Sequence, residues 1–339
     1  MSPNPKITVL MPVYNCELYI KEAVDSILNQ TFSDFEFIII DDASTDATVS
    51  IIRSYNDSRI YLVEKTFNTG LTNSLNHGLS IAKGEYIARM DGDDVSLPER
   101  FLQQVAFLDK NLDVVVCGGY FKIIGMDKII TVPENHEDIK LAMLKDCAIA
   151  HPTVMMRKET LKQHSLMYDI TKEPAEDYDL WTRLLSIGKL HNLQKVLLNY
   201  RVHNSQVSQK RNVQQINTAA EIKVNLLNYL DFEKNFQTQN LLYKMVRREL
   251  FSFQEIQQFP DLKNKLLLAN EVSFFERIAF EKYLENIQNT IFKDYFLEKE
   301  KYSPKIYFQY LIIKKKWQSR LKPFHEMKLL VKSILLYKK

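Results

Sequence analysis

Glycine is scarce in this chain, with 8 in 339 residues and none after Gly188. No G-x-G-x-x-G follows the first apolar run and no G-x-x-x-x-G-K-[ST] occurs anywhere, which excludes the usual glycine-rich loops as a nucleotide's phosphate cradle. Cysteine is rarer still. Cys16, Cys117 and Cys147 are odd in number and form no C-x-x-C, so a disulfide scaffold is excluded, structural zinc is disfavoured, and a reducing compartment fits. No apolar run approaches the roughly 18 residues that a bilayer crossing takes. The segment Met1–Lys6 has no charged stretch leading into a long apolar one, so no secretory signal is read and the expected address is the cytoplasm. Internal repeats and low-complexity tracts are also missing. With hydrophobic residues at 45% and charged residues at 26%, the composition is that of a soluble globular protein and not of a disordered or fibrous one. The length exceeds a typical single core and suits two domains.

Charge is present but unevenly spread. The net charge is only +3, yet residues 301–339 hold 11 Lys/Arg against a single Glu326, a local +10 on a body of −7. Such a tail seeks an anionic partner. Nucleic acid is a poor third choice after a lipid surface and simple packing on the catalytic core, because the body carries no matching basic patch.

Apolar periodicity predicts alternating strands and helices over the first 90 residues. Ile7–Val13 and Phe35–Ile40 read as buried strands, Ile60–Val63 as a weaker one, and Tyr86–Met90 as another. Between them, Ile20, Ala23, Val24, Ile27 and Leu28 fall on one helical face, and further helices are expected around Val49–Ile52 (capped by Ser44 or Asp46) and over Thr72–Ala82. Alternation of this kind implies an α/β fold, a mostly parallel central sheet with helices on both faces. Ligands of such sheets sit beyond the carboxyl ends of the strands. Three of these strands end in polar residues: Tyr14-Asn15, Asp41-Asp42 and Asp91-Gly92-Asp93-Asp94. After about residue 210 the pattern becomes helical, with breaks expected near Pro260, Pro304 and Pro323.

Four residues carrying three carboxylates follow the Tyr86–Met90 strand, with Gly92 expected to permit a tight turn. Like charges this close are unfavourable unless solvated or bridged by a cation. Mn²⁺ or Mg²⁺ held there would neutralise a departing diphosphate. By itself a D-x-D is more often a solvated turn. A second cluster, Glu176-Asp177-Tyr178-Asp179-Leu180-Trp181, enters an apolar helix; it too can be simple capping, or it can supply a general base, with Tyr178 and Trp181 either stacking on a sugar or anchoring the helix in the core, the core role slightly ahead for Trp181.

Pro12-Val13-Tyr14-Asn15, Ser26-Ile27-Leu28-Asn29-Gln30-Thr31, Asp41-Asp42-Ala43-Ser44-Thr45-Asp46, Asn68-Thr69-Gly70, Ala82-Lys83-Gly84-Glu85-Tyr86-Ile87 and Asp91-Gly92-Asp93-Asp94 together resemble glycosyltransferase family 2, which has the GT-A fold. The similarity continues through His151-Pro152-Thr153, Glu176 to Trp181 and Tyr200-Arg201-Val202-His203, covering roughly 5–208. It implies a catalytic domain over 1–210; the helical C-terminal region over 211–339, read from composition alone, carries no motif of the family. It also implies a donor site in which Pro12, Val13 and Tyr14 line the base, Asp41 accepts from its ring N–H, and Asn68, Arg89, Asp91 and Gly92 complete the nucleotide's surroundings. Asp91 and Asp93 match the D-x-D, with His203 as a third metal ligand and Asp94 as a support for the loop. Asp177, with Glu176 beside it, matches the family's base. Lys83 could touch donor phosphate, though a solvated surface position suits it better. His151, extended before Pro152, could lie near the acceptor.

The resemblance implies an inverting, metal-dependent transfer from a nucleotide-diphosphate sugar, with uridine the default base, to a hydroxyl of a glycan or lipid-linked acceptor in surface polysaccharide synthesis. Two alternatives stand beside it: a sugar-nucleotide pyrophosphorylase, which would want a Gly- and Lys/Arg-rich loop where Pro12-Val13-Tyr14-Asn15 stands, and a non-catalytic scaffold of glycan assembly. In the tail, Met327, Leu330, Val331, Ile334 and Leu335 have helical spacing, and Lys314-Lys315-Lys316-Trp317 places an interfacial tryptophan beside lysines. That pattern suits a helix lying on the inner face of an anionic membrane, and equally a helical subdomain with solvated lysines.

Overall fold

The computed structural model describes residues 4–203, 212–317 and 321–338. The chain divides into two compact units, Met1–Ile222 and Lys223–Lys339, with the helix Asn212–Leu227 running across the division.

In the first unit, β1 (Ile7–Val13) is buried at every position, as a strand covered on both faces must be. It pairs in parallel with β2 (Phe35–Asp41) on one side and β4 (Tyr86–Arg89) on the other, and β2 pairs in parallel with β3 (Ile60–Glu64). The connecting helices are α1 (Ile20–Leu28), α2 (Thr48–Arg53) and α3 (Leu71–Ile81). Helix α1 buries Ile20, Ala23, Val24 and Ile27, four of the five residues expected on its apolar face. Parallel register puts Val13 opposite Asp41 and Leu10 opposite Arg89, so the carboxyl ends of β1, β2 and β4 share one edge.

Beyond β4 the sheet becomes mixed. Its order is β3-β2-β1-β4-β8-β6-β9-β5, with β7 (Ile129–Ile130) paired to β6. β8 (Met155–Arg157) is antiparallel to both β4 and β6 (Val114–Ile123), while β9 (Lys189–Tyr200) runs parallel to β6. The short β5 (Val95–Ser96) pairs with the end of β9, opposite Asn199 and Leu198. That pairing draws the loop 91–94 against Arg201–His203. Helices α4 (Arg100–Lys110), α5 (His136–Ala142) and α6 (Lys158–Gln163) precede α7 (Glu176–Leu184), which opens with the second acidic cluster.

The second unit is helical: Phe236–Arg247, Phe253–Ala269, Arg277–Leu297, Pro304–Trp317 and Pro323–Ile334. Pro304 and Pro323 open their helices, where a missing N–H costs nothing. Pro260 breaks nothing, contrary to expectation, and lies inside Phe253–Ala269. An interior proline costs about 3 kcal/mol. Burial of Ile256, Phe259, Leu262 and Leu266, at roughly 1.5–3 kcal/mol each, outweighs that cost, and a Ser252/Glu255 capping box fixes the helix start. Trp317 is likewise not interfacial; it is buried against Phe259 and Phe292. Among the described residues no helix is long and apolar enough to cross a membrane.

Candidate active site

The β1 and β2 ends form one wall. Pro12 and Val13 are buried while Tyr14 is half exposed. Asp41 is buried; its Oδ2 accepts from the Ser44 backbone N–H at 3.1 Å, and its Oδ1 has no partner among the described residues. An unsatisfied buried carboxylate oxygen is costly unless a ligand N–H meets it. Asp42, absent from the expected site, holds the neighbouring loop. Its Oδ1 accepts from Lys65 Nζ and Thr69 N, each at 3.0 Å, and its Oδ2 from Gly70 N at 2.8 Å. Gly70 has φ +91°, a conformation that glycine adopts without strain. The exposed Asn68 is fixed in the same turn by accepting from Gly70 N at 3.2 Å.

The loop after β4 is the second wall. Asp91, Asp93 and Asp94 each present a carboxylate oxygen within 4.8 Å of the others. Gly92 serves close packing and not a left-handed turn: an added Cβ would lie 2.9 Å from Val13 Cγ1 and 3.1 Å from Cys16 Sγ. His203 Nε2 lies 2.8 Å from Asp93 Oδ2. Arg201, to which the sequence assigned no role, donates its backbone N–H to Asp94 Oδ1 at 2.8 Å and its Nε–H to the Asp93 carbonyl at 2.9 Å, and its guanidinium pairs with Glu22. Asp94 is thus a buried strut of the loop. Burial pushes the Asp91 carboxyl up to about 6, with Asp93 adding to the rise and Arg89 opposing it. Burial, Asp91 and Asp93 hold Asp94 well above the usual carboxylate range. Three crowded carboxylates with an imidazole at the rim fit a hard divalent cation of the Mg²⁺ or Mn²⁺ kind.

Arg89 connects this wall to the third. It is almost wholly buried, pairs with Asp91, and leaves its Nε without a partner among the described residues. Its charge also acts on Glu176 and Asp177 at the start of α7. Burial raises the Asp177 carboxyl, opposed by the Tyr178 backbone N–H, which donates to Asp177 Oδ1 at 2.7 Å. Burial and the Asp177 charge push Glu176 up to about 8, and Glu176 Oε2 has no partner among the described residues. At neutral pH Glu176 is therefore mostly the uncharged acid.

One expectation is corrected here, that of an extended His151; for Tyr178 and Trp181 the core reading prevails over stacking on a sugar, and Lys83 takes the surface position that suited it better. Tyr178 and Trp181 offer no ring face to a sugar. Both are buried by the inward face of α7, and the Tyr178 hydroxyl donates to the Met143 carbonyl. Lys83 precedes β4 and so stands at the opposite edge of the sheet, in a cleft of about 380 Å³ that also involves Lys6 and Lys158. His151 is not extended; it begins a 3₁₀ turn, closed by Thr153 N donating to the Ala150 carbonyl at 2.9 Å, and is buried near Asp177.

Comparison with known proteins agrees with the resemblance. The family described as Glycosyl transferase family 2 matches residues 8–173. A Haemophilus influenzae protein named an uncharacterized glycosyltransferase is 35% identical over 243 residues, 68% of this chain and 75% of its own. The chain belongs to glycosyltransferase family 2. It is also similar to the Escherichia coli UDP-Glc:alpha-D-GlcNAc-diphosphoundecaprenol beta-1,3-glucosyltransferase WfaP, 38% identical over 205 residues, 60% of this chain and 79% of the other. S. aureus TarS 1-349, in a crystal structure with UDP-GlcNAc, superposes with a TM-score of 0.60 at 19% identity, covering 86% of this chain and 91% of TarS. The mannosyltransferase PcManGT from Pyrobaculum calidifontis, solved with GDP-Man and Mn2+, gives a TM-score of 0.50 at 17% identity over 88% and 89% of the two chains. These last two likenesses establish the GT-A fold. The protein is a glycosyltransferase, and family membership removes the pyrophosphorylase alternative.

Proposed function

We propose that this family member moves a sugar, with inversion, from a UDP-sugar to a hydroxyl of a glycan or lipid-linked acceptor in surface polysaccharide synthesis, with Mn²⁺ or Mg²⁺ at the Asp91–Asp93 loop. The observation that carries this reading is the division of labour around Arg89: crowded, metal-type carboxylates on one side and, on the other, Asp177 at the start of α7 with its Oδ1 held by the Tyr178 N–H. The UDP-sugar and the diphosphoundecaprenol acceptor in the names of TarS's complex and WfaP support the choice of donor and acceptor.

In this scheme the unsatisfied Asp41 Oδ1 accepts from the uracil ring N–H, while Pro12, Val13 and Tyr14 line the base and the Asn68–Gly70 turn and Gly92 border the nucleotide. Asp91, Asp93 and His203 would hold the cation, which when bound supplies positive charge against the leaving diphosphate. Arg89 adds a fixed charge beneath the same group. Asp177 accepts the proton of the acceptor hydroxyl as its oxygen attacks the anomeric carbon from the face opposite the diphosphate. Glu176, uncharged, keeps a second negative charge away from the base. One displacement with one base inverts the centre. Full-length protein screened with UDP- and GDP-sugars by thermal shift in Mn²⁺, followed by NMR of the product's anomeric proton, tests this. A UDP-sugar stabilising the fold and a product of inverted configuration are expected; retention of configuration overturns the mechanism.

The second unit supports a membrane-side location. Phe308, Leu311 and Ile312 are exposed on Pro304–Trp317, and Phe324, Met327, Val331 and Ile334 on Pro323–Ile334. Exposed Lys305, Lys315, Lys316, Lys322 and Lys328 lie among them. Apolar stripes of helical spacing left in water and surrounded by lysine suit an anionic lipid surface. Each lysine near such a surface contributes about 1 kcal/mol. Flotation of the full chain with phosphatidylglycerol vesicles, lost on Lys315→Glu/Lys316→Glu/Lys322→Glu and absent with phosphatidylcholine, is the expected result. Flotation unchanged by the triple substitution overturns this location.

A further inference from the structure

The base side of the site holds a buried arrangement that this scheme leaves unused. His151 Nε2 lies 2.9 Å from the Tyr168 hydroxyl, and His151 Nδ1 lies 4.0 Å from Asp177 Oδ2. The ring stands edge-on to Trp181, with centroids 5.9 Å apart, one turn beyond Asp177 on α7. Both His151 and Tyr168 are buried. Tyr168 is itself fixed by Asn76 of α3, which donates to the Tyr168 carbonyl at 2.8 Å and accepts from its N–H at 3.0 Å.

Two proton arrangements are open to this imidazole. If Nε2–H donates to Tyr168, the Nδ1 lone pair faces a carboxylate oxygen, which is repulsive. If the phenol donates to Nε2, Nδ1 carries the proton and turns an N–H towards Asp177. The Asp177 charge selects the second. Burial and the Arg89 charge keep the ring neutral. A neutral N–H orients a carboxylate without the loss of basicity that an imidazolium would impose. Since Asp177 Oδ1 is already bonded to the Tyr178 N–H, Oδ2 is the oxygen whose direction remains to be set.

We propose that His151, held by Tyr168, is a positioning residue for Asp177: its Nδ1–H closes onto Oδ2 when the acceptor binds and fixes the carboxylate's rotation towards the attacking hydroxyl. Contacts of this kind are often long without substrate and tighten in the reacting complex. The inference rests on Asp177 being the base, and the experiment separates the two.

UDP release from the UDP-sugar that the full chain turns over, with Mn²⁺, is measured alongside UDP affinity and thermal midpoint. Asparagine at 151 can place an amide N–H where Nδ1 stands; glutamine places one near Nε2. His151→Gln and Tyr168→Phe are expected to lower kcat by roughly 10- to 100-fold, the effect of misplacing a reacting group, with donor KM and UDP affinity unchanged. His151→Asn is expected to stay within about threefold of the parent, since the oriented donor is kept. Added to Asp177→Asn, His151→Gln should cause no further loss, because the two act through one atom. If Asp177→Asn alone keeps full kcat, the base assignment fails. If Asp177→Asn is slow and the double variant slower by the full His151→Gln factor, the base stands and the positioning role is overturned. Equal loss in the glutamine and asparagine variants, or loss expressed in UDP affinity, also overturns it. Should the 151 variants not fold, Tyr168→Phe, which removes one oxygen, decides alone: unchanged kcat sinks the proposal.

Discussion

Asp91, Asp93 and Asp94 gather at the end of a strand, whereas Glu176 and Asp177 open a helix, and the same functional group meets opposite treatment in the two places. At the strand end the carboxylates are crowded against one another, and the relief comes from Arg89 and His203, with the backbone and side chain of Arg201 holding the loop. At the helix start, burial and the Asp177 charge push Glu176 up to about 8, while the Tyr178 backbone N–H and Arg89 oppose the rise that burial imposes on Asp177. A cluster that needs a cation and a pair that sheds one charge are two answers to the same electrostatic problem. In the proposed function the first gathers a leaving group, and the second makes a base.

The sharpest way to break that contrast is Asp177→Asn, which removes the anion without changing shape. Turnover should fall by roughly 10²–10⁴-fold with UDP affinity in Mn²⁺ nearly unchanged, as steady-state kinetics and calorimetry will show. Asp93→Ala should do the reverse in kind. It takes away a cation-binding oxygen and the His203 partner, so turnover drops on the order of 10²-fold and the Mn²⁺-dependent part of UDP binding is lost with it. Calorimetry with and without Mn²⁺ separates the two variants; equal UDP affinity with and without the ion in the parent protein would end the distinction.

Smaller effects sharpen the comparison. Gly92→Ala drives a methyl against Val13 Cγ1, and overpacking of this kind costs roughly 1–3 kcal/mol, read as a lower urea midpoint. Glu176 predicts a pH dependence whose sign follows from its raised value. Folded protein holds this proton up to about 8 while the unfolded chain releases it near 4.5, so the folded state binds more protons in between and stability falls as pH rises through that window. Glu176→Gln should flatten the fall in thermal midpoint between about pH 5 and about pH 8. An unchanged slope would show that Glu176 does not hold the proton.

Much of this arrangement is legible in the amino-acid sequence. Ile7–Val13 is a strand because its unbroken apolar run has nowhere to go but a doubly covered sheet, and the residues that end β1, β2 and β4 lie together because parallel register requires it. The sequence is less informative where periodicity has more than one solution. Trp181 next to carboxylates reads as a sugar platform or, slightly ahead, as a core anchor, and only packing makes it the latter alone. The stripe running from Met327 to Leu335 predicts the helix but leaves open which way it faces: Leu329 and Ser333, off the stripe, are buried, while Met327, Val331, Ile334 and Leu335 face out. Pro260 sits within a helix because four buried neighbours outweigh one lost hydrogen bond, a sum that no local rule contains.

Strand and helix alternation determined the parallel sheet and the edge at which its aspartates gather, since these follow from local propensity and chain direction, and the order of motifs carried the resemblance that pointed to the family. Which carboxylate carries charge, which supports a loop and which ring stands behind Asp177 was decided only by tertiary structure, because burial and the distance between charges far apart in sequence set protonation, and both exist only once the chain has folded.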